Sequence, residues 1–231
     1  MASGTDDRSP KRLAWTILAI VTVVVAFGAV AAARESRQGP RLFAYGTSYL
    51  ASDVVNEPGW RYIDQFNDAL EPSEFHNFAK DGATVQQIAA TVEATWRPQD
   101  GIVVIDALTN NLYQTRSDPA GAIAEAEPIF RSMLQRLGPL PSIIVVKQGR
   151  LSSHDYALFS NELSDATVDA WNAMVDRAVA GLTNVTVVDP NVGWDADAMI
   201  YNIHPTNAGE DHIAQMLFAT ADLPWRPPTN A

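Results

Sequence analysis

The sequence predicts a three-layer α/β/α sandwich around a five-stranded parallel sheet, preceded by one N-terminal transmembrane helix, and three observations support this. Five short apolar runs recur between amphipathic stretches from Arg41 onward. These runs are nearly continuous rather than alternating, as expected of parallel strands covered on both faces. Ahead of them, Leu13 to Ala33 form 21 residues without one charged side chain. At 1.5 Å per residue, a helix of that length matches a bilayer core of about 30 Å.

The chain of 231 residues divides accordingly. Residues 1–12 are polar and read as a disordered N-terminus on the cytoplasmic side. Residues 13–33 read as a transmembrane signal anchor, or alternatively as a signal peptide, since Ala31 to Ala33 supply the small residues a signal peptidase needs. Residues 34–40 form a linker, 41–222 the domain, and 223–231 a tail in which Pro224, Pro227 and Pro228 preclude regular structure.

Within the domain the first strand is Leu42 to Tyr45. Trp60, Ile63, Asn67 and Leu70 then give a helical stripe, followed by a strand at Phe75 to Phe78. Val85, Ile88, Ala89 and Val92 fall at i, i+3, i+4 and i+7, one face of a helix. A strand at Ile102 to Ile105 precedes a helix over Ile123 to Leu137, with Pro128 expected to break or restart it. The fourth strand is Ile143 to Val146. Val168, Trp171, Val175 and Val179 line the next helix, which Ser164 or Asp165 caps and Gly181 ends. Val185 to Val188 make the fifth strand, and a last helix starts near Pro205 and buries Ile213, Met216 and Leu217.

Charge narrows the partners. Residues 1–37 hold five of the 16 Lys+Arg and three of the 27 Asp+Glu, leaving 11 basic against 24 acidic residues, a formal −13 for 38–231. Such a surface repels phosphate backbones, so no nucleic acid is expected as a partner. With no cysteine, disulfide scaffolds and cysteine-ligated zinc modules are excluded. His76, His154 and His212 read as a strand, a loop and a helix-surface residue; none pairs with a carboxylate at metal-ligand spacing, so no metal or other cofactor is expected. Basic residues lie on both sides of the apolar run, leaving orientation open. An N-terminal apolar segment before a single domain favours a single-pass membrane protein with its domain outside the cytoplasm; secretion after cleavage and a cytoplasm-facing domain are the alternatives.

In a parallel sheet, ligand-handling residues belong at the carboxyl ends of the strands. Here those ends carry Gly46-Thr47-Ser48, then Asn77 to Thr84 with Gly82, then Asn110-Asn111, and finally Ile203-His204-Pro205. In this order and on these elements, the blocks resemble the SGNH (GDSL-like) hydrolase superfamily. Its Gly-Asp-Ser is matched by Gly46-Thr47-Ser48, its Asn with a following Gly-Ala-Thr by Asn77 and Gly82-Ala83-Thr84, its Gly-x-Asn-Asp by Leu108-Thr109-Asn110-Asn111, and its Asp-x-x-His-Pro by Tyr201-Asn202-Ile203-His204-Pro205, with Gly209 shortly after. The resemblance spans about Arg41 to Leu217.

It implies a serine esterase or O-acyl transferase acting on ester-linked acyl groups of envelope glycans or lipids. Acyl transfer needs a nucleophile, a base and donors aimed at the oxyanion. Ser48 would supply Oγ, His204 the base, and Ser48, Gly82 and Asn110 the oxyanion N–H groups. Each also has a simpler reading, with Ser48 a helix cap, Gly82 a turn residue, Asn110 a partner for loop carbonyls and His204 a turn residue.

Three of the blocks depart from the pattern. In the first, Thr47 stands for Asp, and in the next, Leu108 with Asn111 for Gly and Asp. The last has Tyr201, where the family has the Asp that orients the imidazole. Asp197 and Asp195 are close enough in sequence to substitute, and a Ser-His dyad is the alternative. The missing acid also leaves open a catalytically silent SGNH-fold binding protein at the envelope. A flavodoxin-like binding module would share the strand pattern but needs a glycine-rich phosphate loop after the first strand, which this chain lacks.

Overall fold

The computed structural model describes residues 39–51, 59–106, 110–115, 117–158, 163–201 and 203–221. The predicted segments 1–12, 13–33 and 223–231 lie outside the described residues, as does most of the linker. Among the described residues, no helix is long and apolar enough to cross a membrane.

A five-stranded sheet has the order β2-β1-β3-β4-β5. Its strands are β1 (Gly39–Tyr45), β2 (Pro72–Asn77), β3 (Ile102–Asp106), β4 (Ser142–Val146) and β5 (Val185–Val188). The parallel pairs β1–β3, β3–β4 and β4–β5 place Phe43 beside Val103, Val103 beside Ile143, and Ile143 beside Val185. Phe78 N–H to Ala44 O and Lys80 N–H to Gly46 O advance together along both chains, so β2 is parallel to β1 as well. Leu42, Val103, Val104, Ile105 and Val145 are fully buried, which accounts for the apolar character of the central strands.

Two of the expectations change here. β1 begins at Gly39, so the last two linker residues belong to the sheet. β2 is not covered on both faces: it is the edge strand, and four of its six residues are exposed. Pro72 suits that place, because an edge strand leaves one row of N–H groups unpaired.

Helices join the strands. α1 (Ser48–Ala51) and α2 (Tyr62–Leu70) follow β1, and α3 (Val85–Thr95) follows β2. α3 opens on a capping box in which Thr84 and Gln87 exchange side-chain and backbone bonds. α4 (Asn110–Gln114) and α5 (Pro119–Leu137) follow β3. Pro128 neither breaks nor restarts α5, contrary to expectation. The ring is exposed, and the carbonyl it deprives of a bond is that of exposed Ala124, where water can serve.

After β4 come α6 (Ser153–Leu158) and α7 (Asp165–Val179); Ser164 caps α7, and Gly181 adopts φ +82° just beyond its end. After β5 come α8 (Ala196–Met199), a hairpin of β6 (Ile200–Tyr201) and β7 (His204–Pro205), and α9 (Asn207–Thr220). α9 starts two residues after Pro205, with Thr206 as its cap. The helix α5 packs on both α3 and α7, and α2 packs on α9. Phe66 of α2 meets Phe218 of α9 at a ring distance of 6.0 Å.

Candidate active site

Ser48 is the first residue of α1 and half-buried. The turn that presents it is anchored from below. Thr47, wholly buried, donates its N–H to Asp106 Oδ2 at 3.1 Å and its hydroxyl to the same oxygen at 3.2 Å. The Thr47 carbonyl then accepts the N–H groups of Leu50 and Ala51, which winds α1. The family pattern has a carboxylate at position 47; here the last residue of β3 provides one directly beneath it. Gly46 makes room, since a Cβ there would lie 2.8 Å from Asp106 Cγ and 2.8 Å from Leu50 Cδ1.

The second block closes on the first. Asn77 Nδ2 donates to the carbonyl of Leu50 at 2.7 Å, tying the end of β2 to α1. Lys80 N–H reaches Gly46 O, and the chain then turns at Gly82, whose φ of +68° favours glycine. The third block meets the second: Asn110 Nδ2 donates to Ala83 O at 3.0 Å and Gln114 Nε2 to Gly82 O at 3.3 Å. Thus the simpler reading of Asn110, a partner for a loop carbonyl, is realised, yet one N–H of the same nitrogen remains after that bond. Asn111, at the family's Asp position, is buried; its Oδ1 accepts Val85 N–H at 2.9 Å and its Nδ2 donates to Gln86 at 2.8 Å. An amide fits there because it must both accept and donate.

His204 arrives from the far end of the domain. α1 packs on β7, and the His204 imidazole lies 6.1 Å, ring to ring, from Tyr49, the residue after Ser48. Burial holds the Tyr49 hydroxyl well above its ordinary pKa, reinforced by nearby Tyr113, while a bond from Gln148 Nε2 at 2.9 Å works against this. Tyr49 therefore stays neutral and acts as a packed wall for the imidazole.

Three successive residues of α6 hold the segment that carries His204. Ser153 N–H donates to Asp197 Oδ1 at 2.8 Å, a bond that lowers the pKa of this exposed carboxyl. The imidazole of His154 stacks on Tyr201 at 5.4 Å with 6° between planes. His154 is thus on a helix rather than the expected loop. Asp155, wholly buried, accepts Ile203 N–H at 3.1 Å through Oδ1 and the Ser152 hydroxyl at 2.8 Å through Oδ2.

The structure therefore joins Ser48 to His204 through α1 and β7, and Gly82 to Asn110 through the loop bonds. Asp195 and Asp197 instead line a cleft of about 370 Å³ with Arg150, Tyr156, Asp165 and Trp194; neither Ser48 nor His204 lines it. Tyr201 is 54% exposed. Sequence reading missed Asp155 and Asp106. Asp106 at the end of β3 carries a weak signal, a carboxylate closing an apolar strand, but Asp155 carries none, because its partner lies 48 residues away.

No family model and no curated protein matches the chain. Solved structures do. A member of the lipolytic protein G-D-S-L family from Veillonella parvula superposes with a TM-score of 0.60 at 17% identity, covering 78% of this chain and 96% of that one. Phospholipase A1 from Streptomyces albidoflavus gives 0.63 at 14% identity over 78% and 99%. The acetyl xylan esterase AlAXEase gives 0.59 at 11% identity over 78% and 98%. With its five-stranded parallel sheet and its blocks at the strand ends, the chain has the SGNH (GDSL-like) hydrolase fold.

Proposed function

We propose that the protein is an SGNH-type serine esterase in which Ser48 is the nucleophile and His204 the general base. The observation that carries this is the packing of α1 on β7, which sets the ring beside Ser48 6.1 Å from the imidazole at the carboxyl edge of the sheet. Ser48 Oγ attacks the ester carbonyl while His204 takes its proton. Negative charge gathers on the carbonyl oxygen, where the N–H groups of Ser48 and Gly82 and the second N–H of Asn110 stabilise it. The intermediate collapses to an acyl-enzyme as the alcohol leaves with the proton from His204. Water, activated by the same imidazole, releases the acid; an alcohol in its place gives transfer instead of hydrolysis.

The substrates are ester-linked acyl groups of envelope glycans or lipids. Matching structures described as a phospholipase A1 and an acetyl xylan esterase support both classes. In this reading the segment Leu13 to Ala33 tethers to the membrane a domain that lies outside the cytoplasm.

The full chain is expected to cleave p-nitrophenyl acetate and to be labelled at Ser48 by a fluorophosphonate. Ser48→Ala should abolish both; hydrolysis that survives this substitution overturns the assignment. Asn110→Ala should lower kcat by about 10²-fold, the usual cost of one oxyanion donor. A second reading, a silent binding protein, is favoured by Tyr201, which offers no carboxylate to the imidazole. A folded parent chain that the fluorophosphonate leaves unlabelled would establish it.

A further inference from the structure

We infer that Asp155 is the positioning residue for His204, acting from α6 through the N–H of Ile203 in place of the acid that the family pattern puts three residues before the histidine. This inference rests on the serine-esterase reading above. Position 201 is occupied by a tyrosine that stacks on His154 and is half-exposed, so position 201 supplies no acid and a positioning carboxylate comes from another element. Asp155 has no exposed surface, and a carboxylate is kept in such a place only where fixed donors hold it. Two are present, the Ser152 hydroxyl on Oδ2 and the N–H of Ile203 on Oδ1. Ser152 Oγ in turn accepts the N–H of Asp155 at 3.1 Å, which fixes the carboxylate's own rotamer.

The bond to Ile203 matters because of what that residue does. Ile203 has φ +63°, the left-handed region, which a β-branched side chain occupies only under constraint. It is the turn of the β6–β7 hairpin, in which Tyr201 pairs with His204, and it immediately precedes the imidazole-bearing residue. Its N–H, captured by a buried carboxylate, fixes the peptide plane that enters Ile203, one residue before His204. The neighbouring contacts of α6, the bond from Ser153 to Asp197 and the stack of His154 on Tyr201, steady the two sides of the same segment. Without the carboxylate Ile203 is free to leave the left-handed region, and the imidazole swings from its place beside Tyr49. A displacement of about 1 Å costs on the order of 10²-fold in rate.

The test compares Asp155→Ala and Asp155→Asn in the full chain. Asparagine keeps an acceptor oxygen for Ile203 N–H; alanine does not. Asp155→Ala should lower kcat on p-nitrophenyl acetate and the rate of fluorophosphonate labelling at Ser48 by about 10²-fold each, with KM changed less than about 3-fold. Asp155→Asn should recover at least a tenth of the parent's kcat. Independently of substrate, the imidazole ¹⁵N signals of His204 should shift in Asp155→Ala and stay near the parent's in Asp155→Asn. Unchanged kcat and unchanged signals in Asp155→Ala overturn the inference. So does an equal loss in both variants that follows their melting temperatures, which would be a purely structural role. If Ser48→Ala leaves hydrolysis intact, the esterase reading fails while the His204 signals still decide the placement; if Ser48→Ala abolishes hydrolysis and Asp155→Ala does not affect it, only the Asp155 inference fails.

Discussion

Gly46 is the residue at which the turn bearing Ser48 tolerates least. A Cβ there would lie 2.8 Å from Cδ1 of buried Leu50 and 2.8 Å from Cγ of buried Asp106, whose carboxylate cannot move without breaking its two bonds from Thr47. Gly46→Ala is expected to destabilise the domain by about 2 kcal/mol, as overpacking does. That corresponds to a fall of roughly 4–8 °C in melting temperature for a domain of this size, read by calorimetry. Esterase activity should fall further than stability, because Thr47 directs the first turn of α1. The residues of this turn were legible in the sequence, since Gly46, Ser48 and the apolar strand before them form a local pattern. The support beneath was not. Asp106 reaches Thr47 across 59 positions and Asp155 reaches Ile203 across 48, and pairs at such separations leave no periodicity to read.

The same contrast holds for elements. The central strands and α3, α7 and α9 follow from continuous apolar runs, helical apolar stripes, a cap at Ser164 or Asp165 and a glycine, all local signals. The short helices α4, α6 and α8 and the hairpin do not, being too brief to show a period. β2 was read as buried because Phe75 and Phe78 suggest an apolar run; its place at the sheet edge, which topology alone decides, leaves its other side chains in water. Gly209 illustrates how an element is held by a single missing atom. It lies in the first turn of α9 against Met199, and a Cβ there would run into the Met199 carbonyl oxygen, which already accepts Thr206 N–H at 3.0 Å. Gly209→Ala should push α9 away from the hairpin, cost about 2–3 kcal/mol, and lower kcat through the displaced His204. Urea denaturation and ester kinetics on the same sample check both effects.

For the whole molecule, the acidic surface sets the response to pH. Asp189, just past β5, is pulled two ways: partial burial raises its pKa, while the N–H groups of Asn191 and the Lys147 ammonium lower it and prevail. A carboxyl held below its unfolded value of 3.8 adds stability that is present above that value and lost as pH falls through the folded one. Asp189→Asn should therefore flatten the acid limb of the stability curve below about pH 4 and cost less than about 1 kcal/mol at neutral pH, since the group is partly exposed. Denaturant midpoints measured from pH 2 to 7 test this, and an acid limb as steep as the parent's would contradict it. The order of the sheet carries a different consequence. Ser48 follows the first strand of the sequence and His204 lies in the last, and the helix bearing one closes on the strand bearing the other. A fragment that lacks either α1 or β7 lacks one half of the candidate site, so on the serine-esterase reading a chain still emerging carries no working nucleophile. On that reading the topology acts as an interlock that withholds reactivity until the last strand is in place.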